Sequence, residues 1–183
     1  MNYKVKQTGN TAGRDVVGRD KYEFNAPISP MTKYCMEYIE EKEYDQEFKE
    51  LIPELQHYMK SVDVKAVIGL EEKLKMAGKL DEMESAARQK ELVAKRLNRH
   101  STSRAAQKIY TYVLGEILSR FNAHIKPLIS KEEPDDVIGA AVFEYVLKPT
   151  MHALEHNVLD LFWEDMWGLV YYLTGNCHIK WTV

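Results

Sequence analysis

From residue 104 onward the chain repeats apolar residues at a helical spacing. Ile109, Tyr112, Val113, Ile117, Phe121 and Leu128 keep one face over about six turns, because side chains three and four positions apart lie on the same side of an α-helix. Ser101-Thr-Ser103 supplies the capping hydroxyls ahead of it. Ser130-Lys-Glu-Glu-Pro134 starts the next helix, which carries Val137, Ala141, Phe143, Val146 and Leu147 and has to bend near Pro149. The spacing predicts a last helix over 158–174, with Leu159, Phe162, Trp163, Trp167, Leu169, Val170 and Tyr171, ended by Gly175-Asn176. The remaining Cys-His-Ile-Lys-Trp-Thr-Val alternates, as a short strand or an extended docking segment does.

Upstream, Ser29 followed by Pro30 is a helix start, and the pattern predicts a helix over 31–44. A second is expected over 46–61, where Pro53 is tolerated only with a kink or a restart. A third, over 64–77, has Asp63 as cap and Gly78 as terminator. The fourth, over 81–99, places Asp81, Glu82 and Glu84 early and Lys95, Arg96 and Arg99 late, the order that complements the helix dipole, and reads as a solvated surface helix. The sum is a mainly α fold, a bundle of six or seven helices over residues 29–183.

Residues 1–28 follow another rule. Gly13-Arg-Asp-Val-Val is followed at once by Gly18-Arg-Asp-Lys-Tyr, and Gly9-Asn-Thr-Ala is a shortened first block, so the period is five. Glycine, a polar pair and an apolar pair fit one face of a narrow β-coil, with glycine at the corner. So few blocks do not cover their own apolar residues, since stacked repeats gain a core only from neighbours. The missing cover is expected from a second copy. Val16, Val17, Tyr22 and Phe24 then supply buried contacts, while Arg14, Asp15, Arg19 and Asp20 pair across identical arms. A phosphate-cradling loop between Gly13 and Gly18 is a weaker reading, because the Gly-Lys-Ser/Thr ending is missing. An unstructured leader with accidental repetition is the bland alternative.

Composition narrows the classes. The 183 residues are 45% hydrophobic and 29% charged with a formal net charge of −3, which describes a globular chain with no global pull toward nucleic acid or anionic lipid. No apolar run approaches the roughly 20 residues of a membrane span, and the first ten residues hold no signal-peptide core. Cys35 and Cys177 are expected to be free thiols in a reducing compartment, so the expected location is the cytoplasm, with no membrane partner and no cofactor.

Three constellations carry potential chemistry. His152 and His156 stand four apart, as two metal ligands on a helix do, and His178 is a conceivable third; a metal-dependent hydrolase is the third-ranked reading, but Ala153 stands where a zinc-protease motif needs glutamate. Cys177-His178 has neither an evident activating helix N-terminus nor an orienting acid, so no catalytic residue is assigned. Lys90, Lys95, Arg96, Arg99, His100, Arg104 and Lys108 form a basic run diluted by Glu91, and a nucleic-acid-binding adaptor using Lys95, Arg96, Arg99, Arg104 and Lys108 is the second reading. The aromatic residues Trp163, Trp167, Tyr171, Tyr172 and Trp181 fit a core or a subunit interface better than a ligand cage.

The leader Gly9-Asn-Thr-Ala-Gly-Arg-Asp-Val-Val-Gly-Arg-Asp-Lys21, the segment Gln107-Lys-Ile-Tyr-Thr-Tyr112 and the ending Tyr171-Tyr-Leu-Thr-Gly-Asn-Cys-His-Ile-Lys-Trp181 together resemble the C-terminal modules of effector proteins in bacterial ABC three-component conflict systems, the group that includes Lamassu-type phage defence. The resemblance implies a non-enzymatic role: self-association through the arm, or docking to an ATPase and its accessory subunit. Modules of this kind usually follow a toxic enzymatic domain. None stands ahead of the arm in this sequence and no ATPase motif occurs, so effector, adaptor and regulator all stay open.

Overall fold

The computed structural model describes residues 28–44, 47–62, 69–79, 82–154 and 156–182, and the whole glycine arm from Gly9 to Phe24 lies outside them. Among the described residues the chain forms seven helices and no strand. Helix α1 (Pro30–Glu43) begins as the sequence predicts, with the Ser29 hydroxyl accepting the Thr32 amide at 3.0 Å and Pro30 in the first turn. Its buried Met31, Cys35 and Tyr38 pack on α5, the long helix that opens at Arg104–Arg120 and continues to Ser130. Glu41 then caps α5 from outside: its carboxylate accepts the Ala105 amide at 2.9 Å and the Ser103 hydroxyl at 2.6 Å, a negative charge set against the positive end of the helix dipole.

The second helix is shorter than expected. Rather than kinking a long helix, Pro53 starts α2 (Pro53–Met59), because proline has no amide to donate and pushes the residue before it into extended backbone, where Ile52 sits at ψ 144. The chain leading to it is held by Gln107, buried in α5, which accepts the Ile52 amide at 2.6 Å and donates to the Ser101 and Glu50 carbonyls. Helix α3 (Leu70–Met76) ends at Gly78, whose φ of 74° lies in the left-handed region, as the sequence requires; the expected cap Asp63 and residues 64–68 lie outside the described set.

Helix α4 (Met83–Arg99) departs from the solvated surface helix inferred from its charge order. It buries Ala86, Val93 and Leu97 along α7 (Trp163–Gly175), with Lys90 and Arg96 reaching across to that helix. Helix α7 starts later than predicted. Asn157 and Asp160 both have positive φ, and the Asn157 amide clamps the Leu161 backbone at 2.9 and 3.0 Å, turning residues 157–161 into a corner. Asp165 then accepts the Phe162 amide at 2.9 Å and pairs with Arg96 of α4 at 2.9 Å.

Two prolines shape the long helices. Helix α5 runs from Arg104–Arg120 through a π-helical turn at Phe121–Ile125 into Lys126–Ser130. Helix α6 runs from Asp135–Ala141 through a π turn at Val142–Leu147 into Lys148–Ala153. In each the wide turn immediately precedes a Lys-Pro pair. A proline ring collides with the carbonyl four residues back in a regular α-helix, and the π turn opens that space. The amides of Lys126 and Lys148 instead reach the carbonyls of Phe121 and Phe143, five residues back. The bend expected at Pro149 is this π turn; Pro127 makes its twin. The two turns pack on each other, with His124 stacked on Tyr145 at 5.5 Å between centroids.

Helix α7 is the axis of the core, with Met166, Leu169, Val170 and Leu173 fully buried. Gly168 permits its approach to α4: a Cβ there would stand 2.5 Å from Val93 Cγ2 and 2.7 Å from the Gln89 carbonyl oxygen. We therefore expect Gly168→Ala to destabilise the fold by about 1–3 kcal/mol through overpacking, whereas Gly139→Ala on α6, where nothing lies within 4 Å, is neutral or stabilising by up to about 1 kcal/mol. Urea unfolding of the two variants checks the pair, and equal midpoints would contradict it.

Candidate functional site at the C-terminal turn

The end of α7 and the residues after it gather side chains from most of the fold. Tyr171 donates its hydroxyl to Glu82 at 3.1 Å, and Thr174 donates to the Val170 carbonyl while accepting the Trp181 indole N–H at 3.0 Å. The Trp181 ring meets Phe121 edge-on at 5.1 Å and lies 5.4 Å from the ammonium of Lys79. Lys79 is itself buried and bridges Glu82 at 3.2 Å and Asp135 at 3.3 Å, which is what makes a buried ammonium tolerable. Asn176 donates to the Tyr58 carbonyl at 3.0 Å and its own carbonyl accepts the Val62 amide at 3.2 Å, fastening the end of α2.

The tail is thus neither a strand nor a segment free for docking. Cys177 has a φ of 65°, which breaks extended pairing. The alternation seen in the sequence is real, but it places Cys177, Ile179 and Trp181 against this chain's own helices.

The Cys177 thiol is the reactive group of the turn. It accepts from Lys73 Nζ of α3 at 3.0 Å and from the Ser61 hydroxyl at 3.4 Å, and Lys73 also donates to the Thr174 carbonyl. Burial pushes the thiol up, but the hydrogen bonds from Lys73 and Ser61 and the charges of Lys73 and Lys180 outweigh it, leaving Cys177 below its ordinary value. Lys90 lies across Gly175, so closely that a side chain there would overlap it. Burial and the charge of Lys73 depress the Lys90 ammonium, while Cys177 opposes the shift. The arrangement is a thiol held below its ordinary value beside two lysines. His178 contacts the Lys60 carbonyl at 3.2 Å and faces His57 at 5.2 Å and Tyr58 at 5.6 Å; burial, more than the neighbouring His57, holds it below the usual histidine value.

The residues singled out in the sequence are dispersed. His152 closes α6 while His156 lies beyond its end, so four positions of spacing do not put them on one helix face, and no cluster of three metal-ligating side chains exists among the described residues. Of the basic run, Lys95 pairs with Glu91 at 2.6 Å, Arg96 with Asp165 and the Leu159 and Asp160 carbonyls, and Lys108 with Glu37 at 2.6 Å beneath the ring of Tyr34. Arg99 and Arg104 are exposed and have no ion pair among the described residues. His100 is turned inward to Tyr110 at 3.1 Å. Trp181, Tyr171 and Tyr172 are core; Trp167 is half-buried, and Trp163 is exposed against Phe143. Cys35 and Cys177 are both free thiols, as expected. Lys73 and Ser61 escape sequence reasoning because their partners stand about a hundred positions away in the chain and no local pattern marks them, while Lys90 enters it only as part of the basic run.

These features define an α-helical domain closed by its own C-terminal turn, with no helix among the described residues long and apolar enough to cross a membrane. Residues 69–181 match the family described as C-terminal domain 9 of the ABC-three component (ABC-3C) systems, and the chain belongs to that family. No curated protein and no solved structure matches the chain. The matched span opens one residue before α3 and closes on Trp181, so it contains the whole turn with both lysines, while α1 and α2 precede it and pack on its α5.

Two outcomes test this geometry. Thr174→Val keeps the shape but strands the buried Trp181 N–H, and is expected to cost about 1–3 kcal/mol in chemical denaturation; an unchanged midpoint would show that the indole bond contributes nothing. His100 and His178 are both held below their ordinary value of 6.5, His100 first by burial and then by Lys42, Arg96 and Arg99. The unfolded chain therefore takes up protons that the folded chain refuses, so their contribution is present above 6.5 and is lost as pH falls through the lower folded values. Denaturation midpoints measured downward from pH 7 are expected to fall below about 6.5, and the fall is expected to be shallower in His100→Gln.

Proposed function

We propose that this chain is a non-enzymatic assembly module of a bacterial anti-phage defence system, serving as an adaptor or regulatory component, and that it associates with copies of itself through residues 1–28. The observation that carries the reading is the family match across residues 69–181, which places the helical domain in ABC three-component systems. The arm adds the mechanism. Its pentads supply Val16, Val17, Tyr22 and Phe24 without enough chain to enclose them, so burial of these side chains calls for a second copy. Arg14, Asp15, Arg19 and Asp20 give each arm both signs of charge, which makes identical arms complementary. An ATPase and its accessory subunit are the proposed outside partners.

Light scattering on the full chain and on a variant lacking residues 1–25 tests the reading. The truncated protein is expected to keep its helical circular dichroism and to lose native mass. An oligomer that survives truncation unchanged would remove the arm as organiser.

A further inference from the structure

Lys73 and Cys177 sit in a relation that the packing of the turn does not need. The turn is already fastened by Asn176 to α2 and by Trp181 to α7, and the thiol adds no apolar contact that requires an ammonium against it. Yet Lys73 Nζ stands 3.0 Å from Cys177 Sγ, at a separation that one bridging atom spans, and Ser61 Oγ lies 3.4 Å from the same sulfur. A second lysine, Lys90, crosses the adjacent Gly175. We propose that Lys73 and Cys177 form an oxidative modification site, in which dioxygen joins them through a single oxygen as an Nζ–O–Sγ bridge.

The chemistry balances without a bound cofactor. The lysine amine and the cysteine thiol together carry three hydrogens and lose two; one oxygen atom of dioxygen is retained between nitrogen and sulfur, and the other leaves as water with those two hydrogens, the nitrogen keeping one of its original two. Nitrogen and sulfur are each oxidised by two electrons, and dioxygen takes all four. The nucleophile is the thiolate, which the lysine and serine hydrogen bonds favour, and Lys90 leaves a cation beside the sulfur once Lys73 has given up its charge. Dioxygen is small enough to reach a thiol that is 7% exposed. The bridge would tie α3 covalently to the turn after α7, two elements that otherwise meet only through side-chain contacts, so oxidation would pin α3 in place. Unlike the assembly reading, this site stands on the helical domain alone and does not depend on the arm.

The test uses the full chain, purified under dithiothreitol and then held in air-saturated buffer without reductant, with Lys73→Arg and Cys177→Ser beside it. Intact-mass and peptide analysis is expected to find a species that has gained one oxygen and lost two hydrogens, with the peptides of Lys73 and Cys177 linked. Lys73 should then be protected from trypsin, dithiothreitol should restore the starting mass, and neither variant should form the species. Lys73→Arg keeps the charge and Cys177→Ser the polarity, and circular dichroism shows whether each is folded. Four outcomes each overturn the proposal: an unchanged mass, a gain of whole oxygens with Lys73 still cleaved, a loss of two hydrogens with no oxygen gained, or the linked species in Lys73→Arg.

Discussion

Closure of this fold depends on one bond in an unusual place: the indole N–H of Trp181, donated to the hydroxyl of Thr174 inside the core. An indole is the largest side chain this turn has to bury, and its N–H needs a partner once it leaves water. Here it is buried among Phe121, Lys79 and α7, and the single polar atom of its ring is satisfied by a hydroxyl that is itself donating to the Val170 carbonyl. With the indole seated, Ile179 and Cys177 are drawn in, Asn176 reaches α2, and α3 acquires its contact with the turn. Remove the seat and these long-range contacts lose their common anchor.

Ionic contacts follow the same economy. Lys79 is tolerated in the interior because Glu82 and Asp135 flank it and an aromatic face lies beside it, and Arg96 crosses from α4 to α7 because Asp165 and two backbone carbonyls receive it. Both cations stitch elements distant in sequence. The exception is the thiol at Cys177, where the facing groups among the described residues are lysines and a serine. The hydrogen bonds and positive charge around the sulfur hold the thiol below its ordinary value in spite of its burial.

Local signals were legible and distant ones were not. Ser29-Pro30, Ser103 and Gly78 mark helix boundaries through the chemistry of their own few neighbours, and the structure places them as read. Pro53 and Pro149 announced interruptions without saying which kind, since restart and π turn satisfy a missing amide equally well from the sequence side. Pro127 carries the same signal, masked by the apolar stripe from Ile109 to Leu128 that continues across it: a π turn adds a residue but keeps the helix running. Helix α4 misled for a related reason. Its charges are as numerous as its apolar residues, yet Ala86, Val93 and Leu97 suffice to bury one side. The basic run gives no local sign of its internal pairing because the partners of Lys108 and Arg96, Glu37 and Asp165, lie in other helices.

The division between the two parts of the chain follows from what each has left to bury. In the helical domain the ending Tyr171 to Trp181, the segment most characteristic of the resemblance, spends its side chains on internal partners: Tyr171 on Glu82, Thr174 on Trp181, Asn176 on α2, Cys177 on Lys73. Such a segment specifies a fold; it has little left with which to specify a partner. The leader has the opposite balance, since its apolar residues recur every five positions in a stretch too short to fold over them. The association proposed above therefore rests on residues 13–24, where the sequence sets apolar residues beside both signs of charge, rather than on the sealed end of α7.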